Sequence, residues 1–170
     1  MDSDFWLIQR MKNGDEQAIE AFVNKYYPMI MRYCRLHIKD CGHAEDITQE
    51  TFEHFFRTFN RYHHYGKAAN YLYVIAANAC KDYYRKKDVP VMEILPEQFL
   101  YSEEHFEEYV NVHLALDSLP QEIREVAILF FCQEIKQKEI AKILGIGIPL
   151  VKYRVRRARE LLAEYIGGEI

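Results

Sequence analysis

Apolar residues recur at the spacing of an α-helix along most of the chain, and no stretch alternates as a β-strand does. The periodic stretches are residues 1–13, 16–39, 44–61, 68–87, 111–118, 120–133 and two short helices within 137–162. Pro28 lies inside the second stretch, where a proline is expected to kink or interrupt a helix. Asp40-Cys41-Gly42-His43 is expected to form a break before the third. The pattern therefore predicts an all-α protein.

The periodic pattern changes between the two halves of the chain. Residues 89–110 contain Pro90 and Pro96 and are rich in glutamate, which is typical of an acidic linker, with a possible helix starting near Ser102. We therefore expect two small helical domains. Residues 1–88 would form a helical bundle and residues 111–170 a helix-turn-helix domain.

The stretch from Gln137 to Leu162 has the pattern of a helix-turn-helix. A short apolar helix ends at Gly145-Ile146-Gly147, and Pro149 can begin the next helix because its missing N–H costs nothing there. The second helix has a buried stripe and a basic, partly aromatic remainder, and no acid lies between Pro149 and Arg159. Such a helix can lie in a DNA major groove. The alternative interpretation is an ordinary solvated basic face.

Two helices of the first half have unlike outer faces. In residues 44–61 the outward positions are acidic or amide side chains, which either are solvated or dock a basic partner surface. In residues 68–87 tyrosines alternate with cations, as in surfaces that bind single-stranded DNA. Taken alone, the second helix is better explained by tyrosines that pack in the core and cations that match the helix dipole.

Composition and charge exclude several classes of function. The net charge of −4 means that any contact with nucleic acid must come from local basic patches. The four cysteines form no CxxC pair, and no two of the seven histidines have the spacing of one helix face, so no metal, cofactor or catalytic group is predicted. No apolar run reaches the roughly 18 residues of a membrane span. The acidic N-terminus is unlike a signal peptide, and we expect a cytoplasmic protein.

Two sets of motifs resemble the extracytoplasmic-function (ECF) group of bacterial sigma factors in the sigma-70 family. AEDITQETF (residues 44–52) and NYLYVIAANACKDYYRKK (70–87) resemble the group's promoter-melting domain. LPQEIREVAILFF (119–131), EIAKILGI (139–146) and VKYRVRRAR (151–159) are similar to its promoter-binding helix-turn-helix. The resemblance implies a protein that is not an enzyme and that gives core RNA polymerase its promoter specificity.

The resemblance also implies a role for individual residues. The positions that match the surface docking on core polymerase are Asp46, Gln49 and Glu50. Those that match the helix along the downstream promoter box are Tyr71, Tyr73, Asn78, Lys81 and Arg85. Those that match the recognition helix at the upstream box are Lys152, Tyr153, Arg154, Arg156, Arg157 and Arg159, where Arg154 and Arg159 suit phosphate or structural roles better than base reading. The loop from His63 to Ala69 matches the loop that captures a flipped-out base.

Promoter DNA and core polymerase are therefore the expected partners, with an anti-sigma factor as a possible third. The sequence departs from the group's pattern at several of these positions. Tyr71 stands where tryptophan is usual, and Leu150, Tyr153 and Arg156 replace the common recognition residues, so the promoter sequence cannot be inferred. The alternative function is a transcription regulator that binds duplex DNA without polymerase. Such a regulator would not need both the acidic helix and the basic-aromatic helix on one domain.

Overall fold

The computed structural model describes residues 3–64, 67–86 and 103–168, and every regular element among them is helical. The chain divides into two compact units, Met1–Met92 and Glu93–Ile170. The predicted all-α class with two helical domains is confirmed. Most of the acidic linker lies outside the described residues, so its bounds remain a prediction.

Within residues 3–64 and 67–86, the N-terminal unit has four α-helices. They are α1 (Ser3–Lys12), α2 (Glu16–His37), α3 (Cys41–Arg57) and α4 (Ala68–Lys86), with a 3-10 turn at Phe59–Arg61. Helix α2 runs through Pro28 as one element, so the expected interruption is wrong. The break expected at Asp40-Cys41-Gly42-His43 is present but lies at residues 38–40, because the Asp40 side chain accepts a hydrogen bond from the His43 backbone N–H (2.9 Å) and thereby caps α3 at Cys41.

Aromatic rings form much of the core between α2, α3 and α4. Phe22 of α2 stacks on Phe55 of α3 with ring centroids 4.9 Å apart. Tyr33 of α2 meets Tyr73 of α4 edge to face at 5.3 Å. All four rings are fully buried or nearly so, and such pairs add to the burial energy of the rings themselves. This packing fixes which faces of α3 and α4 remain in solvent.

Helix α1 is held to α2 by a buried carboxylate. Asp4 accepts hydrogen bonds from Lys25 Nζ (2.6 Å) and from the Tyr26 hydroxyl. Asp4 is buried, and a buried carboxylate is tolerated only when it is paired in this way. The pairing ties the first helix of the chain to the bundle.

The C-terminal unit contains the other four helices. They are α5 (Glu103–Asp117), α6 (Gln121–Ala127), α7 (Gln137–Leu144) and α8 (Ile148–Gly168), with a π-helical turn at Ile128–Cys132 after α6. Helix α7 ends at Gly145, whose φ of 66° is readily adopted only by glycine. The predicted stripe of α8 is buried at Val151, Val155 and Ala158.

The π-helical turn at Ile128–Cys132 changes the direction in which the last side chains of this segment point. A π turn contains more residues than an α turn, so the side chains beyond it leave the α-helical register. An unbroken helical period over residues 120–133 would point Phe131 inward, but Phe131 is 39% exposed, and Phe130 is half-buried. The sequence pattern therefore misplaced the last ring of this segment.

Candidate functional site

Helix α3 presents the acidic surface, which we define as Asp46, Gln49 and Glu50. All three side chains are exposed, and their spacing of three and four residues places them on one face. The opposite face is buried, and it includes Thr48 and Thr51. Their hydroxyls donate to the carbonyl four residues earlier, each at 2.8 Å, and the Thr48 hydroxyl also lies 3.3 Å from Sδ of Met31 in α2. The three residues predicted to bind a protein partner are thus together and accessible.

Tyr27 of α2 lies beside the acidic surface and was not singled out in the sequence. Its ring stacks on Phe52 of α3 with centroids 5.6 Å apart. Burial and the nearby Glu45 raise the pKa of Tyr27, while a hydrogen bond with the Gln49 side chain lowers it. Gln49 is therefore in contact with α2 as well as with solvent. Only the packing of α2 on α3 reveals this contact.

Helix α4 exposes some of the residues that were predicted to contact DNA and buries another. Asn78, Lys81 and Arg85 are exposed, while Tyr71 is half-buried. Tyr73 is only 1% exposed and packs on Tyr33, and burial raises the pKa of its hydroxyl. Positions 71 and 73 point about 200° apart on a helix. The structure therefore does not bring Tyr73 to the surface with the others.

The remaining positions form one stripe along α4. Tyr71, Asn78 and Arg85 are seven residues apart, which is close to two helical turns, and Lys81 lies between them on the same side. We call these four residues the α4 stripe. Arg85 lies 3.7 Å from Asp82 in an exposed ion pair, which leaves the guanidinium accessible. The stripe thus offers cations and an amide to a negatively charged strand.

An aromatic cluster adjoins the first turns of α4. The Tyr71 ring stacks on Tyr62 with centroids 5.3 Å apart, and its hydroxyl is 3.1 Å from Thr58 Oγ1. The Tyr62 hydroxyl is 2.9 Å from Nδ1 of His64, and Lys12 Nζ donates to the Tyr62 carbonyl at 2.9 Å. Tyr62 and Lys12 were not predicted as site residues. Residues 65 and 66 of the predicted base-capture loop lie outside the described residues.

Two tyrosines hold the other end of α4. Nδ1 of His43 is in hydrogen-bond contact with the Tyr83 hydroxyl at 2.6 Å. Burial, together with the charge of Asp40, raises the pKa of Tyr83. The Tyr84 hydroxyl donates to the His37 carbonyl. These contacts connect the basic end of α4 to the turn between α2 and α3.

Four of the six residues predicted to read DNA are exposed on α8, and one of the four is Arg159. Lys152, Tyr153 and Arg156 point to solvent, and Tyr153 is 50% exposed. The Arg156 guanidinium lies over the Tyr153 ring, 5.7 Å from its centroid. Such cation–π contacts restrict the long arginine side chain. Tyr153 and Arg156 therefore reach outward as a pair.

Arg157 is engaged by an acid of its own helix. Its Nη1 donates to Oε2 of Glu160 at 2.9 Å, and this hydrogen bond raises the pKa of Arg157. Both side chains of the ion pair are substantially exposed, so the pair is weak. Arg157 is thus only lightly restrained.

Arg154 and Arg159 both contact other parts of their own unit, and Arg159 is exposed as well. The Arg154 side chain is only 15% exposed, and its Nη2 lies 3.3 Å from Oε2 of Glu122 in α6. The Arg159 guanidinium lies 5.6 Å from the centroids of both Phe130 and Phe131. Contacts of this kind are typical of the structural role, one of the two expected for these arginines beside phosphate binding.

The described residues contain neither a candidate metal cluster nor a candidate membrane span. Among them, no cluster of three or more His, Cys, Asp or Glu side chains has a geometry suited to a metal ion. Within the same ranges, no helix combines the length and apolarity that a membrane crossing requires.

The sequence matches two family models, one in each unit. Residues 22–89 match Sigma-70 region 2, and residues 109–162 match Sigma-70, region 4. The first match contains the acidic surface and the α4 stripe, and the second contains α6, α7 and most of α8.

Individual relatives agree with these matches. The ECF RNA polymerase sigma factor SigE of Mycolicibacterium smegmatis is 30% identical over 90% of this chain, which spans 64% of that relative. The RNA polymerase sigma factor SigV of Bacillus subtilis is also 30% identical, over 74% of this chain and 77% of its own length. The fold is similar to that of the sigma factor RpoE of Bartonella quintana, solved with the anti-sigma factor NepR. That comparison has a TM-score of 0.72 and 21% identity, and it covers 88% of this chain and 96% of RpoE.

Proposed function

Because this chain belongs to the ECF group of the sigma-70 family, we propose that it is a dissociable initiation subunit of RNA polymerase. It binds the core enzyme, selects the promoter and helps to open the duplex. It performs no bond chemistry itself, since synthesis of RNA belongs to the core enzyme.

The observation that carries this proposal is the separation of acidic and basic side chains onto different helices. One unit has an exposed acidic surface on α3 and an exposed basic stripe on α4, and the other has an exposed basic helix, α8. A protein partner and a nucleic acid thus each have a complementary surface, although the whole chain is acidic. If the protein were a regulator that binds only duplex DNA, it would have no need for the acidic surface.

The acidic surface is the proposed contact with core polymerase. Asp46 and Glu50 bring negative charge, and Gln49 brings an amide that can donate and accept hydrogen bonds. Charge complementarity of this kind speeds association and fixes the register of docking. The contact between Gln49 and Tyr27 suggests that Tyr27 orients the amide.

The α4 stripe is the proposed contact with the opened downstream box. Lys81 and Arg85 are placed to contact phosphates, and Tyr71 offers a partly exposed ring beside Tyr62 on which a base can stack. Tyr73 supports this surface from the core through its contact with Tyr33. Tyr73 therefore helps to hold α4 in position and does not contact DNA itself.

Helix α8 is the proposed reader of the upstream box. Lys152, Tyr153 and Arg156 are exposed together, and arginine can bond the O6 and N7 edge of guanine through two donors. Arg157 joins them when it leaves Glu160. The base sequence that these side chains prefer is not fixed by their positions alone.

Regulation and location follow from the same premise. We propose that an anti-sigma factor binds this chain and competes with core polymerase, as the family resemblance implies. We also propose that the protein acts in the cytoplasm, where its polymerase and promoter partners are.

The test is transcription from purified core polymerase with and without this protein, on promoter DNA selected from a random library by the reconstituted enzyme. Wild-type protein is expected to yield specific transcripts. Asp46→Arg is expected to abolish them and to weaken binding to the core enzyme, because it places a cation within the acidic surface.

The matched control is Glu20→Arg, which makes the same charge reversal at an exposed position of α2. It is expected to leave both readouts near the wild-type level. Equal loss in both variants would mean that net charge, and not the acidic surface, governs docking. Tight duplex binding by the protein alone, with no effect on initiation, would instead favour a regulator.

A further inference from the structure

The recognition helix α8 is held to α6 and to the π-helical turn by two arginines. Arg154 reaches Glu122, in the first turn of α6, and Arg159 lies over the rings of Phe130 and Phe131. The two arginines are five residues apart, so their contacts are separated by about 7.5 Å along the helix axis. Two contacts at that separation restrain both the rotation and the tilt of α8.

The carboxylate in this arrangement is exposed, while its partner is not. Glu122 is 77% exposed, whereas the Arg154 side chain is only 15% exposed. Glu122 also lies in the first turn of α6, where the helix dipole favours a negative charge. A nearly buried guanidinium needs such a partner, because burial of a charge without one is costly.

We propose that Glu122 is a positioning residue for promoter recognition. Through Arg154 it sets the orientation in which α8 presents Lys152, Tyr153 and Arg156 to the bases. This inference rests on the proposed role of α8 at the upstream box. It assigns Arg154, whose side chain is only 15% exposed, to the support of the helix and removes it from the set that contacts DNA.

The proposal predicts that removal of Glu122 changes promoter affinity in the direction opposite to that expected from charge repulsion alone. An acid near a DNA-binding surface normally repels phosphates, so its removal should strengthen binding. If Glu122 positions α8, its removal weakens binding although a negative charge has been lost. The dependence of binding affinity on salt concentration distinguishes an arginine that contacts phosphate from one that only supports the helix. Only a phosphate contact releases counterions from DNA.

The experiment measures promoter binding by the reconstituted holoenzyme over a series of salt concentrations. Glu122→Gln is expected to weaken binding about two- to fivefold at every salt concentration, with an unchanged slope. Arg154→Gln should behave in the same way. Lys152→Gln should instead lower the slope of log affinity against log salt by about one.

Two controls keep the result interpretable. Glu164→Gln removes an exposed acid of α8 itself and should leave binding unchanged or slightly stronger. The charge swap Glu122→Arg with Arg154→Glu should recover part of the affinity lost in Glu122→Gln, which general destabilisation would not explain. Thermal melting of each variant identifies any that fail to fold, and the conservative Glu122→Asp then replaces Glu122→Gln.

Three outcomes would overturn the proposal. These are stronger binding by Glu122→Gln, a slope lowered by about one in Arg154→Gln, and no recovery in the charge swap. A wild-type holoenzyme that shows no specific binding would refute the proposed function instead. The two failures are thus distinguishable.

Discussion

Helices α4 and α8 look alike in the sequence but bury different side chains. Both interleave tyrosine with lysine and arginine. In α4 the rings of Tyr73 and Tyr83 are buried and the cations face solvent. In α8 the ring of Tyr153 faces solvent, while Arg154 and Arg159 contact other parts of their own unit. Composition alone therefore does not show which residues of a basic-aromatic helix meet DNA.

The two helices also differ in the size of the side chains that they bury. Helix α4 packs on α2 and α3, whose aromatic rings contact its buried tyrosines. The hydroxyl of one of these tyrosines, Tyr83, has a hydrogen-bond partner in His43 of α3. The buried stripe of α8 consists of Val151, Val155 and Ala158, which are small. Arginines beside a small stripe can cover apolar surface with their stems while the guanidinium finds a partner.

The largest expected effect contrasts the two tyrosines of this comparison. Tyr73→Ala should lower the free energy of unfolding by about 3–5 kcal/mol, because it empties a buried ring site. Tyr153→Ala should change it by no more than about 0.5 kcal/mol, since that ring is half-exposed. Urea denaturation of both variants measures the difference. Similar values for the two would remove the basis of the comparison.

The second prediction compares two arginines of α8. Arg156→Ala should cost about 1–3 kcal/mol of promoter binding, and the cost should disappear when one particular base pair is changed. Arg159→Ala should show no such base dependence, because its guanidinium lies over two phenylalanine rings. Binding to promoters with single base-pair changes provides the measurement. A base-specific loss in Arg159→Ala would place that residue among the readers.

The third prediction concerns the tyrosine hydroxyls of α4. Tyr83→Phe should reduce the free energy of unfolding by about 1 kcal/mol, because His43 loses its hydrogen-bond partner in a partly buried position. Thermal melting and urea denaturation both report this change. In His43→Ala the further substitution Tyr83→Phe should cost less than it does in the wild type, and full additivity would argue that the contact is unimportant.

The smallest effect is expected at alkaline pH. Burial raises the pKa of Tyr73, so the folded chain keeps this proton at pH values where the unfolded chain, with a pKa near 10, has lost it. The free energy of unfolding should therefore fall as the pH rises above about 10. Tyr73→Phe should make this fall less steep. An identical pH profile in the variant would mean that the Tyr73 hydroxyl does not contribute.

Much of the architecture was predictable because it depends on local pattern. The helical period placed the helices to within a few residues, and the glycines at 145 and 147 marked the turn between α7 and α8. The same period put Asp46, Gln49 and Glu50 on one exposed face of α3. It failed at Asp40, where a single capping hydrogen bond extended α3, and at Phe131, where a π-helical turn shifted the register.

The sequence by itself determined the helices, the two families of motifs and the outward face of α3, since each depends on neighbours within a few turns of the chain. Only the tertiary structure decided which tyrosines of α4 are buried and which arginines of α8 are held by α6 and the π-helical turn. The physical reason is that the partners of these side chains, such as Tyr33 for Tyr73 and Glu122 for Arg154, are tens of residues away. Their positions follow from how helices pack, and a one-dimensional pattern does not contain that information.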